Sequence, residues 1–217
     1  MTLPDTKSRE PKQARSRQSF EKTIEAALAL LQERGNDEFT LADVSARSGV
    51  SIGSIYARFQ GKDELLRVAH GRKMDDIDAV STHLFEPLPT RPDAALESVA
   101  REAVDLIIDV LRRYADILRP FMLRATQDET IAQRGAASHA ALAGHFAGVL
   151  GKWPGGFLGQ AEIDWCFNVV YSVVARRLGL GSTMEGSGTL DWPEIAEKLA
   201  GMVASYLVAG PRDTTDA

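Results

Sequence analysis

The apolar residues of this chain recur at spacings of three and four positions over most of its length, which is the period of a helix that buries one face. No stretch alternates apolar and polar residues as a strand does, so the pattern predicts an all-α protein. Pro120 should end or kink one long helix, with a shorter helix after it. The main predicted helices cover residues 16–34, 41–48, 51–59, 62–83, 93–119, 128–152, 161–178 and 192–208.

The most informative stretch is a pair of short segments, 41–48 and 51–59, on either side of Gly49. Thr40, with an acidic residue three positions later, is typical of a capping box at the start of a helix. Gly49 adopts the left-handed backbone conformation at no steric cost, so it turns the chain sharply. Ser51 can cap the second segment. The pattern therefore predicts a helix-turn-helix, whose second helix enters the major groove of DNA.

The charge of the chain is divided unevenly between its two ends. The net charge is −5, yet residues 1–73 carry 13 Lys and Arg against 10 Asp and Glu, whereas residues 74–217 carry 12 against 20. A basic end on an acidic remainder fits a DNA-contacting domain joined to one that does not touch DNA, because phosphate contacts need basic side chains only locally. Chance asymmetry in a helical protein is the alternative.

Residues 39–66, FTLADVSARSGVSIGSIYARFQGKDELL, resemble the DNA-binding segment of the TetR (tetracycline repressor) family of bacterial transcription regulators. Two positions depart from the common pattern: Ser45 stands where alanine is usual, and Arg58 stands where histidine is frequent. The resemblance covers about residues 16–70. Beside a hydrophobic residue at position 55, the matching residues are Thr40, Gly49, Val50, Ser51, Gly53, Tyr56, Phe59, Lys62, Leu65 and Leu66.

The resemblance implies a three-helix DNA-binding domain followed by a larger helical domain for ligand binding and dimerisation. The boundary near Arg72 falls inside the helix that begins at Lys62, so one helix would belong to both domains. A glycine-rich stretch, 179–189, should be a flexible connection. The expected divisions are a disordered basic arm at 1–15, the DNA-binding domain at 16–72, the ligand-binding and dimerisation domain at 73–210, and a disordered tail at 211–217.

The start of the second helix of the motif should meet the DNA bases. Gly53 keeps this part slim, while Ile52, through thymine methyl contact, and Ser54 would touch base edges. The side chains expected to contact phosphates, which position the helix without reading sequence, are those of Thr40, Ser51, Tyr56, Arg58 and Lys62. The alternatives are a half-buried packing role for Tyr56 and an ordinary solvated charge for Arg58.

A homodimer is expected because one recognition helix touches only a few base pairs, whereas useful specificity needs more. The helices 161–178 and 192–208 are the most apolar of the late helices. They could pair with their counterparts in a four-helix bundle, the arrangement that the resemblance also implies. The alternative is that they form only the core of a monomer. A symmetric dimer would bind a palindromic operator in double-stranded DNA.

The predicted 73–210 domain supplies aromatic and sulphur-containing residues that suit a small lipophilic effector. Each of them could instead belong only to the core. The candidate ligand-binding residues are Tyr114, Phe121, Met122, Phe146, Trp165, Cys166 and Tyr171. An effector bound there would shift the helix that begins at Lys62 and change the separation of the two recognition helices.

Catalytic and metal-binding patterns are missing from the sequence. The four histidines are scattered, and His139 and His145 are six apart, on different faces of a helix, so neither a metal site nor a cofactor is expected. With one cysteine and no known catalytic fingerprint, an enzyme is not expected either. No apolar run reaches the roughly 18 residues of a membrane span, so the cytoplasm is the expected location.

Together these patterns predict a ligand-responsive DNA-binding transcription regulator, more often a repressor in families of this kind. The alternative function is that of a helical small-molecule-binding or adaptor protein without operator-specific DNA binding.

Overall fold

The computed structural model describes residues 12–86, 91–156, 158–180 and 190–209. No strand occurs among these residues, and the predicted all-α class is confirmed. The helices are α1 Lys12–Arg34, α2 Leu41–Ser48, α3 Ile52–Tyr56, α4 Lys62–Phe85, α5 Leu96–Ala125, α6 Glu129–Leu150, α7 Gln160–Arg177 and α8 Trp192–Ala209.

The chain divides into two compact units, Met1–His70 and Gly71–Ala217, which we call the head and the body. The division falls inside α4, so this helix begins in the head and ends in the body. In the head, α1 packs on α2, and α2 packs on α3. The largest fully buried side chains of the head are those of Leu31, Val44, Ile55, Leu65 and Leu66, together with Phe59.

In the body, α5 is the central helix. It packs most extensively on α6 and α8, and less extensively on α7. Apolar residues three and four positions apart bury one wide face of α5, so Val104 and Ile107 are completely covered. They belong to one core cluster with Phe146 of α6, Val170 of α7 and Val203 of α8.

The prediction of a separate helix after Pro120 is wrong, because α5 continues through this proline to Ala125. A proline inside a helix removes one backbone hydrogen bond and crowds the preceding turn, at a cost of about 3 kcal/mol. Ile117, Pro120 and Phe121 are all buried on α5. The packing of this last part of the helix therefore offsets the local cost.

The first and third helices also differ from their predicted limits. α1 begins at Lys12, so residues 12–15 of the predicted disordered arm are helical, in keeping with good helix formers at these positions. α3 ends at Tyr56, and Phe59 joins the core from the turn that follows. Outside the described part of the chain lie residues 1–11 of the predicted arm, 181–189 of the predicted flexible connection and the predicted tail 211–217.

Candidate DNA-binding site

The start of α2 is fixed by the predicted capping box, which is confirmed. The Asp43 N–H donates to the Thr40 hydroxyl oxygen at 3.2 Å, and the Thr40 N–H donates to the Asp43 carboxylate at 2.7 Å. The Thr40 hydroxyl also donates to this carboxylate, at 2.9 Å. These bonds from Thr40 lower the pKa of the Asp43 carboxyl. A phosphate contact by Thr40 would require its hydroxyl hydrogen to turn away from Asp43.

The turn between α2 and α3 is made by Gly49, whose φ of 69° and ψ of 11° are in the left-handed region, as predicted. Its N–H donates to the Ser45 carbonyl at 3.0 Å, which closes the end of α2. The Ser45 hydroxyl donates to the Val50 carbonyl at 2.7 Å. The serine that replaces the usual alanine therefore adds a bond across the turn, which the sequence pattern did not predict.

The exposed residues of α3 form the candidate reading surface. The helix is capped by Ser51, whose hydroxyl accepts the Ser54 N–H at 3.3 Å and lies 2.8 Å from the Ser54 hydroxyl. Ile52 is 40% exposed and Tyr56 is 59% exposed. No heavy atom of the described chain lies within 4 Å of the position that a Cβ on Gly53 would take. The surface at Gly53 is therefore open to a close approach.

Tyr56 is not the half-buried packing residue that the sequence left as an alternative, since its side chain is mostly solvent-accessible. The inward position of α3 is taken by Ile55, which is 1% exposed. Because adjacent helical residues point about 100° apart, burial of Ile55 turns Tyr56 outward. The phenol is thus available to a phosphate.

Two predicted phosphate contacts are engaged within the head. The Lys62 ammonium donates to the Asp37 carbonyl, lies 3.6 Å from the Asp37 carboxylate and 5.4 Å from the centre of the Phe39 ring. The Arg58 guanidinium donates to the Ser16 hydroxyl at 2.9 Å. Both cations have internal partners, so each would keep or exchange such a partner when DNA binds.

A further ion pair joins α1 to α2. Both terminal nitrogens of Arg47 donate to the Glu33 carboxylate. The bond from Arg47 lowers the pKa of the Glu33 carboxyl, and the same bond raises the pKa of the Arg47 guanidinium. Because both side chains are exposed, the pair orients the two helices more than it stabilises the fold.

The seven candidate ligand-binding residues differ in how far they are buried. Trp165 is 57% exposed, the largest exposure among them. The other six are buried or partly buried. Phe121, Phe146 and Cys166 are at most 2% exposed, while Tyr114, Met122 and Tyr171 pack against the core cluster. Ligand binding by any of the seven residues stays a prediction.

An open groove of about 460 Å³ lies between α6 and α7, and none of the seven candidates lines it. Burial lowers the pKa of His139 in this groove, and the His139 ring lies 5.0 Å from the Phe167 ring and 4.5 Å from the Tyr171 ring. Sequence reasoning missed the groove because small and polar residues form most of it. Its lining residues are His139, Ala140, Ala143, Gly144, Gln160, Asp164, Phe167 and Asn168.

Large apolar side chains are also exposed on the last two helices. Trp165 and Val173, on α7, are 57% and 40% exposed. On α8, Met202 is 36% exposed, Tyr206 is 43% exposed and Val208 is 70% exposed. Exposed apolar side chains grouped on neighbouring helices are typical of a surface that a protein partner covers.

Among the described residues, no group of three or more His, Cys, Asp or Glu is arranged to hold a metal ion. No helix in the described part of the chain is long and apolar enough to cross a membrane. Cys166 is buried. Its burial, and to a smaller extent the negative charge of Glu162, raises the pKa of its thiol to about 11.

Comparison with known proteins relates these features to one family. Residues 24–69 match the family model described as bacterial regulatory proteins, tetR family. No curated protein is significantly similar to the chain in sequence. Solved structures share its fold: a tetR-family transcriptional regulator from Streptomyces coelicolor is 16% identical, with a TM-score of 0.64 over 89% of this chain and 82% of that chain.

Two further structures are similar over nearly their whole length. A TetR transcription regulator from Haloarcula marismortui ATCC 43049 is 16% identical, with a TM-score of 0.59, covering 88% of this chain and 97% of that chain. A TetR transcriptional regulator from Rhodococcus sp. RHA1 is 17% identical, with a TM-score of 0.54, covering 91% and 100% respectively. At these identities the likeness concerns the fold.

A capped helix-turn-helix followed by a helical body defines a DNA-binding transcription regulator of the helix-turn-helix class. The DNA-binding segment of the chain matches the tetR family of bacterial regulatory proteins, and its fold is similar to that of solved TetR-family regulators. The resemblance that residues 39–66 carry is thereby confirmed.

Proposed function

We propose that this chain is a ligand-responsive repressor that binds a palindromic operator as a homodimer and leaves it when a small lipophilic effector binds. The observation that carries the proposal is the exposed surface of α3, residues 51–54 and Tyr56, presented by a left-handed turn at Gly49. A short helix with one buried and several exposed positions fits a major groove.

On this surface, different residues would make the apolar and the polar contacts to DNA bases. Ile52 offers an exposed alkyl group for a thymine methyl, and Ser54 offers a hydroxyl for a base edge. Gly53 has no side chain, so the backbone of α3 can approach the bases closely. A side chain at this position would project into the space between the helix and the bases. The Ser51 and Ser54 hydroxyls, now bonded to each other, would exchange this bond for contacts to DNA.

Phosphate contacts from Thr40, Ser51, Tyr56 and Lys62 would set the position of α3. For Lys62 we propose that a phosphate oxygen takes the place of the Asp37 carboxylate, which lies 3.6 Å from the ammonium. The bond to the Asp37 carbonyl would be kept during this exchange and would hold the ammonium in place. This exchange costs less than ordering a free lysine, because part of the side-chain entropy is already lost.

The homodimer is proposed to form through α7 and α8. Their exposed residues Trp165, Val173, Met202 and Tyr206 would be covered by the same residues of a second copy, as in an isologous interface. Two recognition helices placed about 34 Å apart would meet successive turns of the major groove. The family resemblance supports the same arrangement, since TetR regulators are typically dimers.

The effector is proposed to enter the body through the groove between α6 and α7. The groove reaches the Phe167 ring, and Tyr171 lies beyond His139. An apolar molecule that inserts there would separate side chains that now fill the space, including the candidates Phe146 and Cys166. Because α4 is continuous from the body into the head, a shift of α4 would reorient the recognition helices.

The proposed function is tested by fluorescence anisotropy of labelled DNA that flanks the gene of this protein. The parent protein should bind a palindromic segment, with an affinity that falls steeply as salt rises. Tyr56→Phe and Lys62→Ala should each weaken binding about tenfold, the scale of one hydrogen bond to a charged phosphate. Lys22→Ala, which removes an equal charge from exposed α1 surface, is the matched control.

A parent protein that shows no salt-dependent, palindrome-dependent binding would refute the regulator and favour the helical binding or adaptor protein. Sedimentation of Val173→Asp and Tyr206→Asp tests the dimer, because a buried charge should dissociate it. Effector control is tested separately, by measuring operator affinity across lipophilic candidates. If none lowers the affinity, the effector part of the proposal loses its support.

A further inference from the structure

Arg58 follows the recognition helix, and its guanidinium is directed at α1. Its Nη2 donates to the Ser16 hydroxyl at 2.9 Å, across 42 residues of sequence. Its Nη1 is buried and has no hydrogen-bond partner among the described residues. A phosphate oxygen could not reach Nη1 in this arrangement, because protein atoms already exclude solvent from it.

The neighbouring residue makes a second contact to the same face of α1. The Phe59 ring is stacked on the Phe20 ring, with centres 5.7 Å apart and planes at 21°. Ser16 and Phe20 are four residues apart, so they lie one turn apart on one side of α1. Two successive residues after α3 therefore hold α1, one by a charge-assisted hydrogen bond and one by ring stacking.

Because α3 is short, its direction depends on the contacts that Arg58 and Phe59 make with α1. A helix of five residues has too few internal hydrogen bonds to be stable by itself, so its direction depends on the groups that flank it. Its start is set by the Ser51 cap and the Gly49 turn. After Tyr56, the polar contact that fixes the other end is the one from Arg58 to Ser16.

We infer that Arg58 is a positioning residue for DNA recognition, which fixes the direction of α3 by its bond to Ser16 and makes no phosphate contact. This inference rests on the proposed DNA binding. It replaces the phosphate role expected for Arg58 from the sequence. It also assigns a function to Ser16, which no motif identified.

Salt-dependent operator binding separates the two roles of Arg58. Arg58→Gln should weaken operator binding about tenfold, since one charge-assisted hydrogen bond is lost. The slope of log affinity against log salt should change no more than in the control Lys22→Gln. A lost phosphate contact would instead reduce the slope by about 0.9. Binding to random-sequence DNA should change no more than in Lys22→Gln, because it depends on charge and not on the direction of α3.

A double-mutant cycle tests whether Arg58 acts through Ser16. Ser16→Ala should weaken operator binding in the same direction, and the double variant should be no weaker than Arg58→Gln. Arg58→Lys should recover most of the affinity by reaching the Ser16 hydroxyl. Arg58→Met removes a buried unpaired nitrogen, so its unfolding temperature should equal or exceed that of the parent while operator affinity still falls.

A slope reduced by about 0.9, with Ser16→Ala binding like the parent, would overturn the inference in favour of a phosphate contact. Affinity losses that follow losses of unfolding temperature across all variants would overturn it in favour of a purely structural role. If the parent binds no DNA, the proposed function fails. Amide exchange of residues 52–58 in the free protein then still tests whether the bond between Arg58 and Ser16 fixes α3. Faster exchange in Arg58→Gln and Ser16→Ala supports this role of the bond, and unchanged exchange refutes it.

Discussion

The helix-turn-helix caps of the head and the ion pairs between α4 and α6 of the body join residues at different distances in sequence. In the head, the bonds that cap α2 and α3 and close the turn between them join residues at most five positions apart, as between Thr40 and Asp43 or between Ser45 and Val50. In the body, Arg134 of α6 binds Asp75 and Asp78 of α4, which are 59 and 56 positions away. Local bonds can be inferred from a short motif, whereas distant ones require the fold.

The difference extends to the candidate sites. The exposed residues of α3 follow from the caps and the turn, so a sequence motif indicates which side chains face outward. The groove between α6 and α7 is lined by residues of two separate helices, most of them small or polar.

The largest expected effect comes from removing a core aromatic ring from either unit. Phe59→Ala in the head, where Phe59 is 2% exposed, should cost about 3–5 kcal/mol and abolish operator binding. The three tryptophans, Trp153, Trp165 and Trp192, all belong to the body, so their emission reports the body alone. We expect the circular dichroism transition to split while the tryptophan transition stays near that of the parent.

Phe146→Ala is the matched change in the body, where Phe146 is completely buried. It should cost a similar amount, about 3–5 kcal/mol, but lower the tryptophan transition. If both variants shift both transitions equally, the two units unfold as one, and the contrast between head and body does not extend to their stability.

The next largest effect distinguishes two glycines of the head. Gly49→Ala forces a Cβ into the left-handed region, with φ at 69°, and should destabilise the head by about 1–2 kcal/mol. Gly53 lies in α3 with open space around it, so Gly53→Ala should leave stability equal or slightly higher. Its methyl group should nevertheless weaken operator binding. Urea unfolding and operator titration of both variants provide the two measurements.

The opposite pattern would contradict this assignment. A Gly53→Ala variant that binds operator like the parent would mean that the backbone of α3 does not approach the bases closely. A Gly49→Ala variant of parental stability would mean that the turn relaxes to another conformation, contrary to the observed left-handed geometry.

These two glycines show how far sequence reasoning reaches. The caps, the turn and the outward direction of Tyr56 were predictable because each follows from residues within one turn. The continuity of α5 through Pro120 was not predictable, since it depends on burial of Phe121 by distant elements. The exposure of Trp165 was missed for a related reason: composition shows that a helix is apolar but not which part of its surface the fold leaves uncovered.

The internal partners of Arg58 and Lys62 were likewise unpredictable from the motif. Each lies in a segment matched to a DNA-binding family, so a basic side chain there favours a phosphate role. The structure adds Ser16 and Asp37, which come from sequence 42 and 25 positions away. A motif gives residue types in order, but the competition between an internal partner and a ligand depends on three-dimensional neighbours.

A smaller effect concerns pH, to which the two units should respond at opposite ends of the scale. In the body, the pKa of the buried Cys166 thiol is raised from 9.0 to about 11. The folded state holds this proton more tightly than the unfolded state. Stability from the neutral thiol is therefore fully present below about pH 9 and falls as the pH rises towards 11. Cys166→Ala should remove this part of the alkaline slope.

In the head, the pKa of Asp43 is lowered from 3.8 by hydrogen bonds from Thr40. The stability that this carboxylate provides is present above its unfolded pKa and is lost as the pH falls through its lower folded pKa. Asp43→Asn should flatten the acid slope of the head. Unfolding measured by circular dichroism and tryptophan emission across pH checks both units. Variants whose slopes match the parent would contradict these assignments.

The smallest effect is expected from an exposed ion pair on α5, between Arg101 and Asp105. Arg101 Nε lies 2.9 Å from the Asp105 carboxylate, and the two side chains are 38% and 48% exposed. An exposed pair at this helical spacing contributes only about 0.3–0.5 kcal/mol, and less when the basic residue precedes the acidic one. A double-mutant cycle of Arg101→Gln and Asp105→Asn in urea should give a coupling energy within this range. A coupling well above 1 kcal/mol would mean that the pair is covered by a partner in solution and is not solvent-exposed as it is in the single chain.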